Sequence, residues 1–131
     1  MSVDRSILLV DDDPGIVEMT TLLLGQAGYR VHPALSGEEA LLRVRESRPD
    51  IVLLDVNMPG MDGWEVLRIL QSDEGTSSIP VVMFSVKYEI RDKVHALQQG
   101  ASDYITKPFS TEALLDRVER IFLDRIPGAS A

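Results

Sequence analysis

The sequence predicts an α/β domain, a parallel sheet with helices on both faces. Two observations carry that prediction. Five short runs rich in Val, Ile and Leu alternate strictly with five stretches of helical spacing. Capping residues punctuate the boundaries between the two kinds of segment. With 131 residues the chain is long enough for one domain with a proper core and too short for two ordinary ones.

In chain order, the first strand is expected at 7–10, ILLV. Pro14 sits where a first-turn proline belongs, with Asp13 before it as a cap, so a helix starts there. Ile16, Met19, Leu22 and Leu23 share one face of that helix, and Gly28 falls where a C-terminal cap is expected. A weaker apolar run near 29–34 gives the second strand. Ser36 with Glu39 reads as a capping box, opening a helix that turns Ala40, Leu41 and Val44 to the core. The third strand is expected at 51–54, followed by a helix with the capping pair Asp62 and Glu65 and the face Val66, Ile69 and Leu70. The fourth strand is expected at 81–84, and Ile90, Val94 and Leu97 mark the next helix, closed by Gly100. A weak strand at 103–106 precedes a last helix with Leu114, Leu115, Val118, Ile121 and Phe122 on one face. The folded unit is expected at 1–126, and 127–131 (PGASA) as a tail or the start of a linker.

Composition excludes several functions. A hydrophobic share of 44% with 26% charged residues suits a globular chain, not a disordered one. A net charge of −8 argues against wrapping nucleic acid or lying on an anionic membrane. The absence of cysteine removes disulfides, thiol nucleophiles and zinc ribbons. The opening residues, MSVDRSILLV, have neither a basic n-region nor a long apolar run, so no signal peptide is read there and a cytoplasmic protein is expected.

In an open parallel sheet, chemistry collects beyond the carboxyl ends of the strands. The first strand delivers Asp11, Asp12 and Asp13 to that edge; the third delivers Asp55, the fourth Ser85, the fifth Lys107. Adjacent carboxylates repel by roughly 4 kcal/mol at 4 Å in an effective dielectric near 20. A cluster of them beside a hydroxyl and an ammonium suits a divalent cation and a phosphoryl group. Each residue alone has a plainer reading: Asp13 as a helix cap, Asp12 as a solvated turn residue, Ser85 and Lys107 as surface groups. His32 and His95 lack ligand-spaced neighbours and read as surface or boundary residues, and Met19, Met58, Met61 and Met83 as packing or loop residues. A calcium loop is excluded, because Gly15 and Leu22 stand where oxygen ligands are needed.

Taken together, LVDDD, LLDVNMPGMDG, VVMFS and DYITKPF are similar to the motifs of the receiver domains of bacterial two-component response regulators, in order and spacing, from Ile7 to about Phe122. That resemblance implies a flavodoxin-like (βα)5 sandwich with strand order 2-1-3-4-5. It implies Asp55 as the acceptor of a phosphoryl group from a sensor histidine kinase or histidine phosphotransfer protein. Asp12 would be a direct Mg2+ ligand with Asp55, Asp11 would act through water, and the backbone carbonyl of Asn57 would complete the protein's share; Mn2+ is an alternative ion. Lys107 would pair with the phosphoryl oxygens and Ser85 would donate to them. The resemblance further implies that Asn57 and Lys87 tune hydrolysis, that the Lys107–Pro108 bond is cis, and that Tyr104 turns inward as Ser85 closes on the phosphoryl group. The face of the fourth helix, fifth strand and fifth helix would then change shape for a downstream effector.

The implied product is a switch that catalyses its own phosphorylation and dephosphorylation more than an enzyme. No nucleic-acid or membrane contact is expected of this segment. Val86 stands where a smaller residue is usual, which would tighten the loop above the phosphate. A phosphorylation-dependent homodimer is implied by Asp103 and Arg117, against Ser102, which replaces a frequent acid. Rival readings are a receiver-like binding module without phosphoryl chemistry, a haloacid-dehalogenase-type phosphohydrolase, and a flavodoxin-like electron carrier. The second would want an Asp where Asn57 stands, and the third a hydroxyl-rich loop where the three aspartates would repel a flavin phosphate.

Overall fold

A computed structural model describes residues 5–86 and 90–125. Lys87 and the expected tail at 127–131 lie outside the described residues. Ten elements alternate: β1 (Ser6–Val10), α1 (Pro14–Gln26), β2 (Arg30–Ala34), α2 (Gly37–Ser47), β3 (Ile51–Asp55), α3 (Gly63–Ser72), β4 (Val81–Ser85), α4 (Ile90–Gln98), β5 (Asp103–Thr106) and α5 (Thr111–Arg125). The strands pair in parallel in the order β2-β1-β3-β4-β5, the order the resemblance implies. β3 and β4 each run one residue further than expected, taking in Asp55 and Ser85.

The period of two along each strand divides the core into two layers. Leu8, Val10, Val52, Leu54, Val81 and Met83 point to one face, where Ala40, Val44, Val66, Leu67, Leu70 and Ala96 of α2, α3 and α4 cover them. Ile7, Leu9, Ile51, Leu53, Val82 and Phe84 point to the other, under Val17 and Leu24 of α1 and Leu114, Val118 and Phe122 of α5. The inner strands β1, β3 and β4 therefore have no polar side, which is why they read as continuous apolar runs. Pro33 falls on β2, an edge strand, where its missing N–H costs no ladder bond to an outer neighbour.

The N-cap side chains accept as read, whereas the return half of the two expected capping boxes differs: Glu65 pairs with Arg68 instead. Asp13 accepts from the Gly15 and Ile16 amides, Ser36 from Glu39, and Asp62 from Glu65. The Glu39 carboxylate reaches back to the Leu35 amide, one residue ahead of the cap. Gly28 and Gly100 take φ of 98° and 100°, as C-terminal caps do.

Two helical faces differ from expectation. In α1 the buried side chains are Val17, Thr20 and Leu24, while Met19 and Leu22 are 55% and 61% exposed. Two threonines on the inward side disguise it, so the most apolar stripe is not the one that packs. In α4, Val94 and Leu97 are exposed and the helix seats through Ala96. A small residue lets the helix approach the sheet closely, and spacing of large apolar residues misses it; the Ile90 side chain lies outside the described residues.

Candidate functional site

Four strand ends bring the predicted residues to one edge. Asp11 leaves β1 buried, with its amide tied to the Ala34 carbonyl across β2. One of its carboxylate oxygens accepts from the Asp13 amide at 3.0 Å and the other from Lys107 Nζ at 2.7 Å. Asp12 turns to solvent, and Asp13 serves as the α1 cap, the plainer of its two readings. Asp55 closes β3 opposite Phe84 and is 4% exposed. Ser85 closes β4 opposite Thr106, and its carbonyl accepts from the Lys107 amide at 2.7 Å. That backbone bond carries Lys107 over the edge, where the Lys107–Pro108 bond is cis.

Lys107 Nζ then lies between the two buried carboxylates, 2.7 Å from Asp11 and 3.4 Å from Asp55. It also sits 4.7 Å above the centre of the Phe84 ring. One ammonium does not balance two buried anions. Burial, and next the charge of Asp11, push the Asp55 carboxyl up to about 6, with Lys107 and the Asn57 amide pulling the other way. Oxygens of Asp11, Asp12 and Asp55 all lie within 4.8 Å of one another, a spacing that one cation can span.

The loop after β3 is held by a glycine. Gly63 donates to the Val56 carbonyl at 2.9 Å, and a Cβ there would run into the backbone carbonyl of Asp55. Asn57, two residues past Asp55, donates its backbone N–H to Asp55 Oδ1 at 3.4 Å and its side-chain amide to Ser85 Oγ at 3.3 Å. Tyr104, the aromatic expected to take part in the switch, is buried and 6% exposed. Its position on β5 faces the layer of Met83 and Ala96, so the sheet's own alternation turns the ring inward.

Sequence reasoning missed three contacts. The Phe84 ring beneath Lys107 looked like one more core residue, although its register opposite Asp55 follows from parallel pairing. The Asn57–Ser85 bond left no spacing signal. His95, read as a surface or boundary residue, is exposed and also packs edge-on against Trp64 of α3 at 4.7 Å between ring centres. His32 is partly buried on β2. Of the methionines, Met58 and Met83 are buried, Met61 packs against the core, and Met19 is exposed.

The profile described as the response regulator receiver domain matches residues 7–119. The chain is 46% identical over 114 residues to the DNA-binding response regulator MtrA of Mycobacterium tuberculosis, covering 87% of this chain and 49% of that protein. It is 40% identical over 126 residues to the DNA-binding dual master transcriptional regulator RpaA of Synechocystis, covering 95% of this chain and 52% of the relative. The chain thus spans about half the length of the curated relatives it matches. Among solved structures, the chemotaxis response regulator CheY4 of Vibrio cholerae superposes with a TM-score of 0.85 at 32% identity, over 91% of this chain and 99% of that one. Fold, strand-end chemistry and kinship agree: the chain belongs to the receiver domains of response regulators, the switches of phosphorelay signalling.

Proposed function

We propose that this chain takes a phosphoryl group onto Asp55 from the phosphohistidine of a sensor kinase or phosphotransfer protein. The observation that carries this is the Lys107 ammonium bridging Asp11 at 2.7 Å and Asp55 at 3.4 Å at the mouth of the sheet. With its carboxyl at about 6, Asp55 is ionised near neutral pH and supplies the attacking oxygen. A P–O bond forms to Asp55 as the P–N bond to the donor breaks, and the pair of electrons leaves with the imidazole. Transfer of this kind needs alignment and neutralisation of the phosphoryl oxygens more than covalent help. Lys107 neutralises one of those oxygens, and Ser85 donates a hydrogen bond to another.

The carboxylates fit a divalent cation, because their oxygens cluster within 4.8 Å and are under-neutralised by Lys107 alone. Mg2+, or Mn2+ in its place, would be held directly by Asp12, Asp55 and the Asn57 carbonyl. Asp11 would act through water, since both its oxygens are engaged within the protein. Such an ion supplies positive charge to the phosphoryl oxygens. Water attack on the acyl phosphate resets the switch, so the domain serves both half-reactions on itself. The output runs through the face of α4, β5 and α5 to an effector, by analogy with the relatives named DNA-binding response regulators. There Asp103 and Arg117 pair within the chain at 2.7 Å, which leaves fewer charges free for a homodimer. The cytoplasm is the compartment this reading implies, and among the described residues no helix is long and apolar enough to cross a membrane.

Incubation with Mg2+ and phosphoramidate should add one phosphoryl group labile to hydroxylamine. The Asp55→Asn variant should gain none, and normal labelling of that variant would remove Asp55 as the acceptor.

A further inference from the structure

Ser85 is buried at the edge of the acceptor site, yet nothing in its own covalent structure aims its hydroxyl. Serine lacks the β-methyl that restricts χ1 in threonine. A hydroxyl also has one proton to give and two lone pairs to fill. A neighbour supplies the missing restraint. The Asn57 side-chain amide donates to Ser85 Oγ at 3.3 Å. Asn57 reaches Ser85 because β3 and β4 run parallel with Asp55 opposite Phe84, so the residues leaving each strand are neighbours.

From this geometry we infer that the Asn57 side chain is a positioning residue for Ser85. An amide NH2 only donates, so it fills a lone pair of Oγ and turns the Ser85 proton away from the loop. The Ser85 oxygen is thereby held by a donor, and its own proton is directed to an acceptor such as a phosphoryl oxygen on Asp55. Donation into Oγ also polarises the O–H bond and strengthens it as a donor. The inference rests on the phosphoacceptor reading and gives the Asn57 side chain a task separate from its backbone carbonyl. A structure with threonine at this position would need the amide less, because its χ1 is already preset.

The test uses beryllofluoride, a tetrahedral phosphoryl mimic, titrated in Mg2+ buffer and followed by the fluorine NMR signals of the bound form. Asn57→Ala keeps the backbone carbonyl and should weaken binding about fivefold, as loss of one net hydrogen bond does. The same change made in Ser85→Ala or in Ser85→Thr protein should shift affinity by less than about twofold, the size of a minor context effect. An equal loss in all three backgrounds would show that Asn57 acts through the loop or the cation and would overturn the inference. So would an Asn57→Ala protein that binds as tightly as wild type. Absence of any adduct on wild-type protein would instead remove the phosphoacceptor reading, and this inference with it.

Discussion

Replacing Asp55 by asparagine should make the metal-free protein markedly more stable at neutral pH. The wild-type carboxyl is raised from 3.8 to about 6, first by burial and then by Asp11. Relative to the unfolded chain, the folded protein therefore favours the protonated form. That stability is fully present below the unfolded pKa near 4 and is lost as pH rises through about 6. Some two pKa units correspond to about 3 kcal/mol at pH 7.5. Asparagine is neutral at every pH and avoids that loss, while Lys107 keeps its 2.7 Å partner in Asp11. For a domain of this size the gain converts to a rise in Tm of roughly 10 °C. At pH 5 the wild-type carboxyl is largely protonated in the folded state, and linkage reduces the difference to about half.

The assay is thermal unfolding of both proteins with chelator present, at pH 7.5 and pH 5, followed by circular dichroism. Addition of Mg2+ at pH 7.5 should then raise the wild-type Tm more than that of the variant, since an ion bound to the folded state stabilises it by mass action. Equal melting temperatures at pH 7.5 would refute the charge argument. A gap that persists unchanged at pH 5 would refute the assignment of that charge to Asp55.

Three further changes probe the scaffold under the site. Gly63→Ala should lower the urea midpoint by the equivalent of about 1–3 kcal/mol, because its Cβ meets the Asp55 carbonyl and Val56 Cα; an unchanged midpoint would show the loop is free to shift. Thr20→Val should raise the midpoint by about 1 kcal/mol, since Thr20 Oγ1 is buried with no hydrogen-bond partner among the described residues; a lower midpoint would reveal a bond to the hydroxyl. Arg48→Gly should stabilise by about 0.5–1 kcal/mol, because Arg48 caps α2 in the left-handed region at φ 45° and glycine adopts it without Cβ strain; a loss in the same urea titration would mean the exposed arginine side chain matters more than its backbone.

What could be read from the sequence follows from how each feature is encoded. The strands and caps are local. Leu53 needs only its neighbours to look like a buried strand, and Asp13 needs only Pro14 to look like a cap. The site residues are also locally marked, because each stands at the point where an apolar run stops. Along β3 the side chains alternate between the two layers, Val52 and Leu54 to one and Ile51 and Leu53 to the other. Asp55 is the first side chain that neither layer needs to fill with an apolar group. A carboxylate there, or an ammonium after Thr106, breaks the pattern visibly. The α1 and α4 faces failed for the converse reason. Thr20 and Ala96 are buried but carry no apolar signal of their own, while Met19 and Leu22 carry a strong one and remain exposed.

The contacts that escaped the sequence depend on parallel register, which no single segment contains. Phe84 lies beneath Lys107 because β4 pairs with β3 and β5 at once, placing Asp55 and Ile105 on either side of it. The same register puts Met83 beside Tyr104, and the alternation of β5 sends that ring into the layer of α2, α3 and α4. A one-residue slip of β5 would turn Tyr104 to the opposite layer and move Lys107 off the carboxylates. The inward ring and the bridging ammonium are therefore two consequences of one pairing.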